Sequence, residues 1–316
     1  MIKTDLLIVG GGPAGSTCAW QLNRAGFNCL ILDKASFPRQ KTCAGWITPS
    51  VFRHLEISPE DYPYSHTKFS SFQISIRRIS FQLPANQYAI RRIGFDNWLL
   101  KRSDVNCLRH QVKCIEEKNG LYTIDDTYQG KFLVGAGGTH CPVRRAFFPI
   151  VSSAGDRALI IAQEEEFTYP AEDKRCHLRF FENGLPGYAW YVPKKDSIIN
   201  VGIGGSADGF RKQGKNLHHY WQSFIRKLDR IGLVRNHSFQ PSGYSYYRRH
   251  QDPEIQRDNV FLIGDALGLA TRDMGEGIYP AIQSGLLAAD SIITGKDYSI
   301  QSIPKYSFPS LLGIRK

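Results

Sequence analysis

The stretch Asp5-Leu-Leu-Ile-Val-Gly10-Gly-Gly-Pro-Ala-Gly15, continued by Ser16 to Ala25 and stopped at Gly26, decides the fold. Asp5 to Val9 is a short apolar run of the kind that forms a strand buried on both faces of a parallel sheet. Gly10, Gly12 and Gly15 then stand at the G-x-G-x-x-G spacing. The first permits a tight turn, the second lets the backbone approach a pyrophosphate, and the third lets helix pack on strand. The helix that follows offers free N–H groups and a favourable dipole to an anion. A second strand, Cys29-Leu-Ile-Leu, ends at Asp33, eighteen residues past Gly15, where a carboxylate can accept hydrogen bonds from ribose hydroxyls. A dinucleotide is the expected ligand, and this motif alone does not separate NAD from FAD.

Beyond this unit the chain alternates in style. Lys34 to about Asn86 reads as polar and irregular, with strand-like alternation only near Phe72 to Ile76. Phe95 to Leu108 reads as a helix, and Leu133-Val-Gly-Ala-Gly-Gly as another apolar strand entering a glycine turn. From Ala158 to Gly205 apolar runs broken by turns predict an antiparallel meander. Leu217, Tyr220, Trp221, Phe224, Ile225, Leu228 and Ile231 mark one face of an amphipathic helix. Val260-Phe-Leu-Ile-Gly-Asp265 returns to the α/β style and leads to a helix from about Pro280 to Ile293. The expected fold is α/β, a Rossmann-like dinucleotide domain with an inserted antiparallel sheet. Residues 1–70, 88–156 and 240–296 would form the discontinuous first domain, 71–87 and 157–239 the substrate domain, and 297–316 a C-terminal tail.

Composition narrows the function. The 316 residues carry 40 Lys plus Arg against 29 Asp plus Glu, a formal charge of +11. That balance favours anionic partners. The charge is spread in pairs such as Arg77-Arg78 and Arg248-Arg249, without a basic block or recognition-helix pattern, which argues against nucleic acid. Seven cysteines with no C-x-x-C speak against a disulfide framework and a thiolate metal site. No apolar run reaches membrane-spanning length, so a cytoplasmic protein is expected. His54, His66, His177, His218 and His219 lack metal spacing. Glu164-Glu-Glu166 reads as a solvated strand end.

The segment Gly264-Asp265-Ala266 places a carboxylate at the carboxyl end of a buried strand, the edge at which open α/β sheets bind ligands. Ten residues on, Gly275-Glu-Gly277-Ile278 enters a helix with Pro280 in its first turn. A flavin needs both an acceptor for ribityl hydroxyls and a helix N-terminus near its ring, so the pair favours FAD. Cys43 is the sharpest single candidate. A thiol beside a flavin ring can act as acid or redox relay, and nearby Arg39 and Lys41 would favour its thiolate.

Gly10-Gly-Gly-Pro-Ala-Gly15, Phe37-Pro-Arg-Gln-Lys-Thr-Cys-Ala-Gly45, Arg92-Ile-Gly-Phe-Asp96, Gly264-Asp-Ala-x-Gly268 and Gly275-Glu-Gly-Ile278 together resemble the geranylgeranyl reductase family. That family is a branch of the p-hydroxybenzoate hydroxylase-like flavoproteins. The similarity runs through Gly187-Tyr-Ala-Trp-Tyr-Val-Pro193 and Asn200-Val-Gly-Ile-Gly204 as well. The resemblance implies FAD contacts at Ala14, Asp33, Cys43, Ala44, Arg92, Asp265, Gly277 and Ile278, with Val112 beside adenine. It implies hydride transfer from reduced flavin to a carbon–carbon double bond of an apolar, prenyl-like substrate. Phe180, Trp190 and Tyr191 are expected to line the substrate cavity. The electron donor would be a reduced nicotinamide or a ferredoxin, and peripheral contact with an anionic membrane surface is compatible with such a substrate. The alternatives are a flavin monooxygenase acting on an aromatic or polyketide-like compound, and an FAD-binding electron-transfer protein. Gly135-Ala-Gly-Gly138 lacks the acid that typical flavin hydroxylases carry in the middle glycine turn, which counts against the first of these.

Overall fold

The computed structural model describes residues 1–77, 79–148, 159–249 and 254–308. Ala158, at the start of the expected meander, the end of the tail, and Arg78 lie outside the described residues.

The opening strand Ile2–Val9 is central to a parallel sheet because both its faces are apolar. Leu6, Leu7 and Ile8 are fully buried. It pairs in parallel with Cys29–Asp33 on one side and Tyr128–Gly135 on the other. Cys107–Arg109 extends the first side and Val260–Leu262 the second, both in parallel. The helix Pro13–Arg24 starts directly after Gly12, with proline at its first position, and packs on the long helix Ile278–Thr294. The carboxyl ends of the strands at Val9, Asp33, Gly135 and Leu262 therefore meet the N-termini of these two helices at one edge.

The second sheet has eight strands, in the order Ser242–Tyr247, Leu159–Thr168, Ile198–Ser206, Gly187–Lys194, Cys176–Phe180, His66–Ile76, Ile79–Ile90 and Trp46–Ile47. All neighbours are antiparallel except Cys176–Phe180 and His66–Ile76. This sheet reaches further into the sequence than expected. The stretch read as irregular, 34–86, contains most of its longest hairpin, and Ser242–Tyr247 joins it at the opposite edge. The outer strand alternates in sequence, Ile79-Ser-Phe-Gln-Leu-Pro-Ala-Asn86, but Pro84 within the run counts against a strand, and residues 79–86 are half-buried or exposed at an open edge that tolerates it. The expected helix 95–108 is shorter and earlier, Arg92–Arg102, and Cys107–Arg109 is a strand.

One face of the second sheet is covered by the helix Leu217–Arg230. Tyr220, Trp221, Phe224 and Leu228 pack there against Ala189, Tyr191, Ile199, Val201 and Ile203. Ile231, the last residue of the expected stripe, lies past the helix end and is exposed. The other face turns toward the parallel sheet. No helix among the described residues is long and apolar enough to cross a membrane.

Candidate functional site

Between the edge of the parallel sheet and the free face of the second sheet lies a cavity of about 800 Å³. Gly10, Gly12, Ala14, Asp33, Cys43, Ala44, Arg92, Val112, Asp265, Gly277 and Ile278 all line it. Gly15 does not. It packs helix on turn: a Cβ there would stand 1.9 Å from the Gly10 carbonyl oxygen.

At the parallel-sheet end the backbone is prepared for an anion. The helices beginning at Pro13 and Ile278 open on the cavity through Gly12 and Gly277. Asp33 ties two turns together, Oδ2 accepting from Gly11 N at 2.8 Å and Oδ1 from Ala35 N at 2.8 Å. Asp265 sits in the short turn Gly264–Ala266, its Oδ2 accepting from the Tyr244 hydroxyl at 3.4 Å. Lys41 lies 2.9 Å above the centroid of the Tyr244 ring, and burial lowers its ammonium to about 8 against the pull of Asp265. Arg92 is buried with its guanidinium forked onto Asp96 at 2.7 and 2.8 Å; it also reaches the Cys43 side chain. Arg39, which the sequence places beside Cys43, pairs with Asp96 at 3.3 Å.

At the other end the second sheet forms the floor. Strand alternation selects Trp190 and Tyr188 for the cavity and turns Tyr191 to the opposite face, against the helix Leu217–Arg230. The expected cavity role of Tyr191 is thereby corrected; its hydroxyl donates to the Asp173 carbonyl instead. Phe180 shares the cavity-side face but belongs to the apolar cluster beside the cavity rather than to its lining. Glu164, Gly202 and Trp190 stand side by side on three adjacent strands. A Cβ on Gly202 would lie 2.2 Å from the Trp190 ring and 2.7 Å from the Glu164 Cβ, so the motif Asn200-Val-Gly-Ile-Gly204 makes room for both side chains.

The floor grips Cys43 by its backbone. Cys43 N donates to Glu164 Oε1, and the Cys43 carbonyl accepts from Asn200 Nδ2 at 3.4 Å. Asn200 is held in turn by Trp190 Nε1 at 2.7 Å. The thiol itself accepts from Gly45 N at 3.3 Å.

This arrangement overturns the reading of Glu164-Glu-Glu166 as a solvated strand end. Glu164 is 5% exposed, and burial pushes its carboxyl up to about 7. Glu166 accepts from buried Lys194 at 2.6 Å and from Arg91 at 2.8 Å, which hold its carboxyl below its ordinary range despite burial. Glu165 faces the other way, toward His237. Three identical residues carry no alternation, and only pairing with Ile198–Ser206 shows which glutamates point inward.

A second acid, the half-buried Glu276, also lines the cavity. Burial, with Asp273 adding to it, pushes its carboxyl up to about 8, and its Oε1 has no hydrogen-bond partner among the described residues. Gln87 Nε2 on the cavity wall is likewise unpartnered among them. Two orphaned buried polar atoms facing one cavity fit a ligand that supplies both hydrogen-bond donors and acceptors. Because the folded Glu276 holds its proton more tightly than the unfolded chain, its stabilising contribution is complete below about pH 4.5 and is lost as pH rises through 8. Glu276→Gln, which cannot ionise, is therefore expected to match wild-type stability near about pH 5 and exceed it by about 1–3 kcal/mol above about pH 9. Urea unfolding of the two proteins across that range checks this, and parallel curves would place the charge elsewhere.

The fold is the p-hydroxybenzoate hydroxylase-like architecture that solved flavin-dependent oxidoreductases share. Residues 8–48 match the NAD(P)-binding Rossmann-like domain family. The chain is 31% identical over 315 residues to an uncharacterized protein of Methanosarcina barkeri, covering 92% of this chain and 75% of that one. It is 25% identical over 336 residues to digeranylgeranylglycerophospholipid reductase 1 of Methanosphaera stadtmanae, covering 97% and 80%. Among solved structures, the geranylgeranyl bacteriochlorophyll reductase-like protein of Thermoplasma acidophilum superposes with a TM-score of 0.80 at 22% identity, over 97% of this chain and 83% of that one. The chain belongs to the geranylgeranyl reductase family.

Proposed function

We propose that this protein binds FAD in the cavity and reduces carbon–carbon double bonds of an apolar, prenyl-like substrate. The observation that carries the reading is one continuous volume with anion-receiving helix N-termini at one end and an apolar aromatic floor at the other. Gly10, Gly12 and Ala14 receive the pyrophosphate, Asp33 the adenosine ribose, Val112 the adenine and Asp265 the ribityl chain. Arg92, Gly277 and Ile278 border the flavin, with Cys43 and Ala44 beside its ring. Reduced FAD, when bound, supplies hydride to one carbon of the double bond. The second carbon needs a proton, and two groups at the clamp can deliver it: the Cys43 thiol and the Glu164 carboxyl, which is largely protonated below about 7. Trp190, Tyr188 and Phe72 keep water from the reacting carbons. Electrons come from a reduced nicotinamide or a ferredoxin. A substrate of this kind resides in lipid, so the protein meets an anionic membrane surface peripherally.

The test is anaerobic turnover of the FAD-loaded protein with prenyl lipids, followed by mass spectrometry. Gain of two hydrogens is the expected product. Gain of oxygen under air would make the protein a monooxygenase, and a colourless protein that binds NAD but not FAD would overturn the cofactor as well. Asp265→Ala should fold yet lose about 1.5–3 kcal/mol of FAD affinity, because a ribityl hydroxyl loses a charged acceptor. Fluorescence titration of apoprotein with FAD measures it; an unchanged Kd removes Asp265 from the site.

A further inference from the structure

The hairpin His66–Ile76 and Ile79–Ile90 ends in an apolar tip. Ile79 is 70% exposed, Phe81 42% and Ile76 41%. They share one face, since Ile76 stands opposite Ile79 and Ile74 opposite Phe81. Phe180 lies beside Ile76 on the neighbouring strand, and Phe181, 53% exposed, follows it. Phe181 holds a left-handed backbone at φ 54°, an uncommon and costly conformation for a bulky aromatic residue. Only Tyr88 and Ala89 of the outer strand have a further strand partner on that side among the described residues, so the edge next to the tip is open. Natural edge strands usually carry charge where this one carries isoleucine and phenylalanine.

Beside the tip lies a second, open cavity of about 790 Å³, lined by Arg77, Arg179, Lys227 and Glu182 among others. Arg179 pairs with Glu182 at 2.9 Å and Lys227 bonds the same carboxylate. Three cations against one carboxylate leave this crevice with two net positive charges. An apolar patch flanked by a cationic crevice matches the layering of a bilayer surface, with acyl chains below anionic phosphates. The tip also connects to the first cavity. Ring contacts run from Phe181 to Phe180 at 6.2 Å, on to Tyr188 at 5.2 Å and to Trp190 at 5.7 Å.

We propose that this hairpin tip is a docking surface for an anionic lipid bilayer, in which Ile76, Ile79, Phe81 and Phe181 enter the interface while Arg77, Arg179 and Lys227 meet lipid phosphates. The surface places the aromatic path between the membrane and the first cavity; that delivery role rests on the prenyl-substrate reading, whereas docking itself does not.

The experiment is co-sedimentation of the FAD-loaded protein with vesicles of phosphatidylcholine alone or mixed with phosphatidylglycerol. Wild type is expected to sediment with the mixed vesicles and at least about tenfold less with the neutral ones. Ile79→Glu and Arg77→Glu, both at exposed positions, should each weaken binding to mixed vesicles by about tenfold. Leu121→Glu, the same apolar-to-acidic change at an exposed leucine of the other sheet, should leave it unchanged. Failure of wild type to sediment with anionic vesicles, survival of binding in both tip variants, or an equal loss in Leu121→Glu overturns the proposal. Reduction of a short, detergent-soluble prenyl substrate by Ile79→Glu should proceed at the wild-type rate, so loss of docking and loss of the reductase reading register separately.

Discussion

Cys43→Ser is expected to retain FAD at near wild-type occupancy and to slow reoxidation of the pre-reduced enzyme by substrate about 10²–10⁴-fold, the usual contribution of a positioned proton donor. The reason for separating the two effects is geometric. Cys43 is held through its backbone N–H and carbonyl by Glu164 and Asn200, and its sulfur accepts from Gly45 N and is reached by Arg92, contacts that a serine oxygen can also accept, so serine should occupy the same place. What changes is acidity, because a hydroxyl is a far poorer acid than a thiol. Single-turnover kinetics at matched flavin content measure the effect. Equal rates would leave Cys43 as a packing residue and pass the proton-donor role to Glu164, whose replacement by glutamine would then carry the rate loss and flatten the pH dependence near 7. Loss of flavin from Cys43→Ser would make the thiol an anchor instead.

Gly15→Ala is expected to abolish FAD retention. The added methyl would stand 1.9 Å from the Gly10 carbonyl oxygen and 3.1 Å from the Ala136 side chain. Neither the carbonyl nor the turn that carries it can yield, because Gly10 N is bonded to Leu32 O at 2.8 Å within the sheet edge. The helix Pro13–Arg24 must therefore move away, taking with it the N–H groups that would receive a pyrophosphate. Overpacking of this kind costs about 1–3 kcal/mol in stability, and the displaced helix adds a loss of FAD affinity of at least about 100-fold. Gly243→Ala, where the nearest atom is 3.8 Å away, serves as the control and should bind FAD normally. The readouts are bound flavin absorbance after gel filtration and circular dichroism of the apoprotein. A folded, fully yellow Gly15→Ala protein would show that the helix does not need this close approach.

Much of the first sheet was legible in the sequence because its determinants are local. A buried parallel strand reads as an uninterrupted apolar run, and the turn after it must place small residues at set intervals within six positions. Asp33, Gly277 and Asp265, which line the cavity, are legible for the same reason, each at the end of an apolar run or the start of a helix. The second sheet was harder. Its outer strand alternates apolar and polar residues from Ile79 to Asn86, but Pro84 inside the run counts against a strand, and only pairing with His66–Ile76 shows that the run is one. Tyr191 and Trp190 are adjacent in sequence and equally apolar, yet one packs under a helix and the other faces the cavity.

The sequence by itself determined the glycine turn after the first strand, most of the sheet-edge residues that line the cavity, and the family. The tertiary structure alone decided what Glu164 does. Side-chain direction in a sheet has a period of two, so a run of three glutamates contains no information about which faces inward until the strand is paired. Pairing sets Glu164 against Gly202 and Trp190, 38 and 26 residues away, and brings it under a loop 121 residues distant in the chain. Burial at that place, rather than any property of the residue itself, converts an ordinary surface carboxylate into an acid that keeps its proton to about pH 7 beside Cys43.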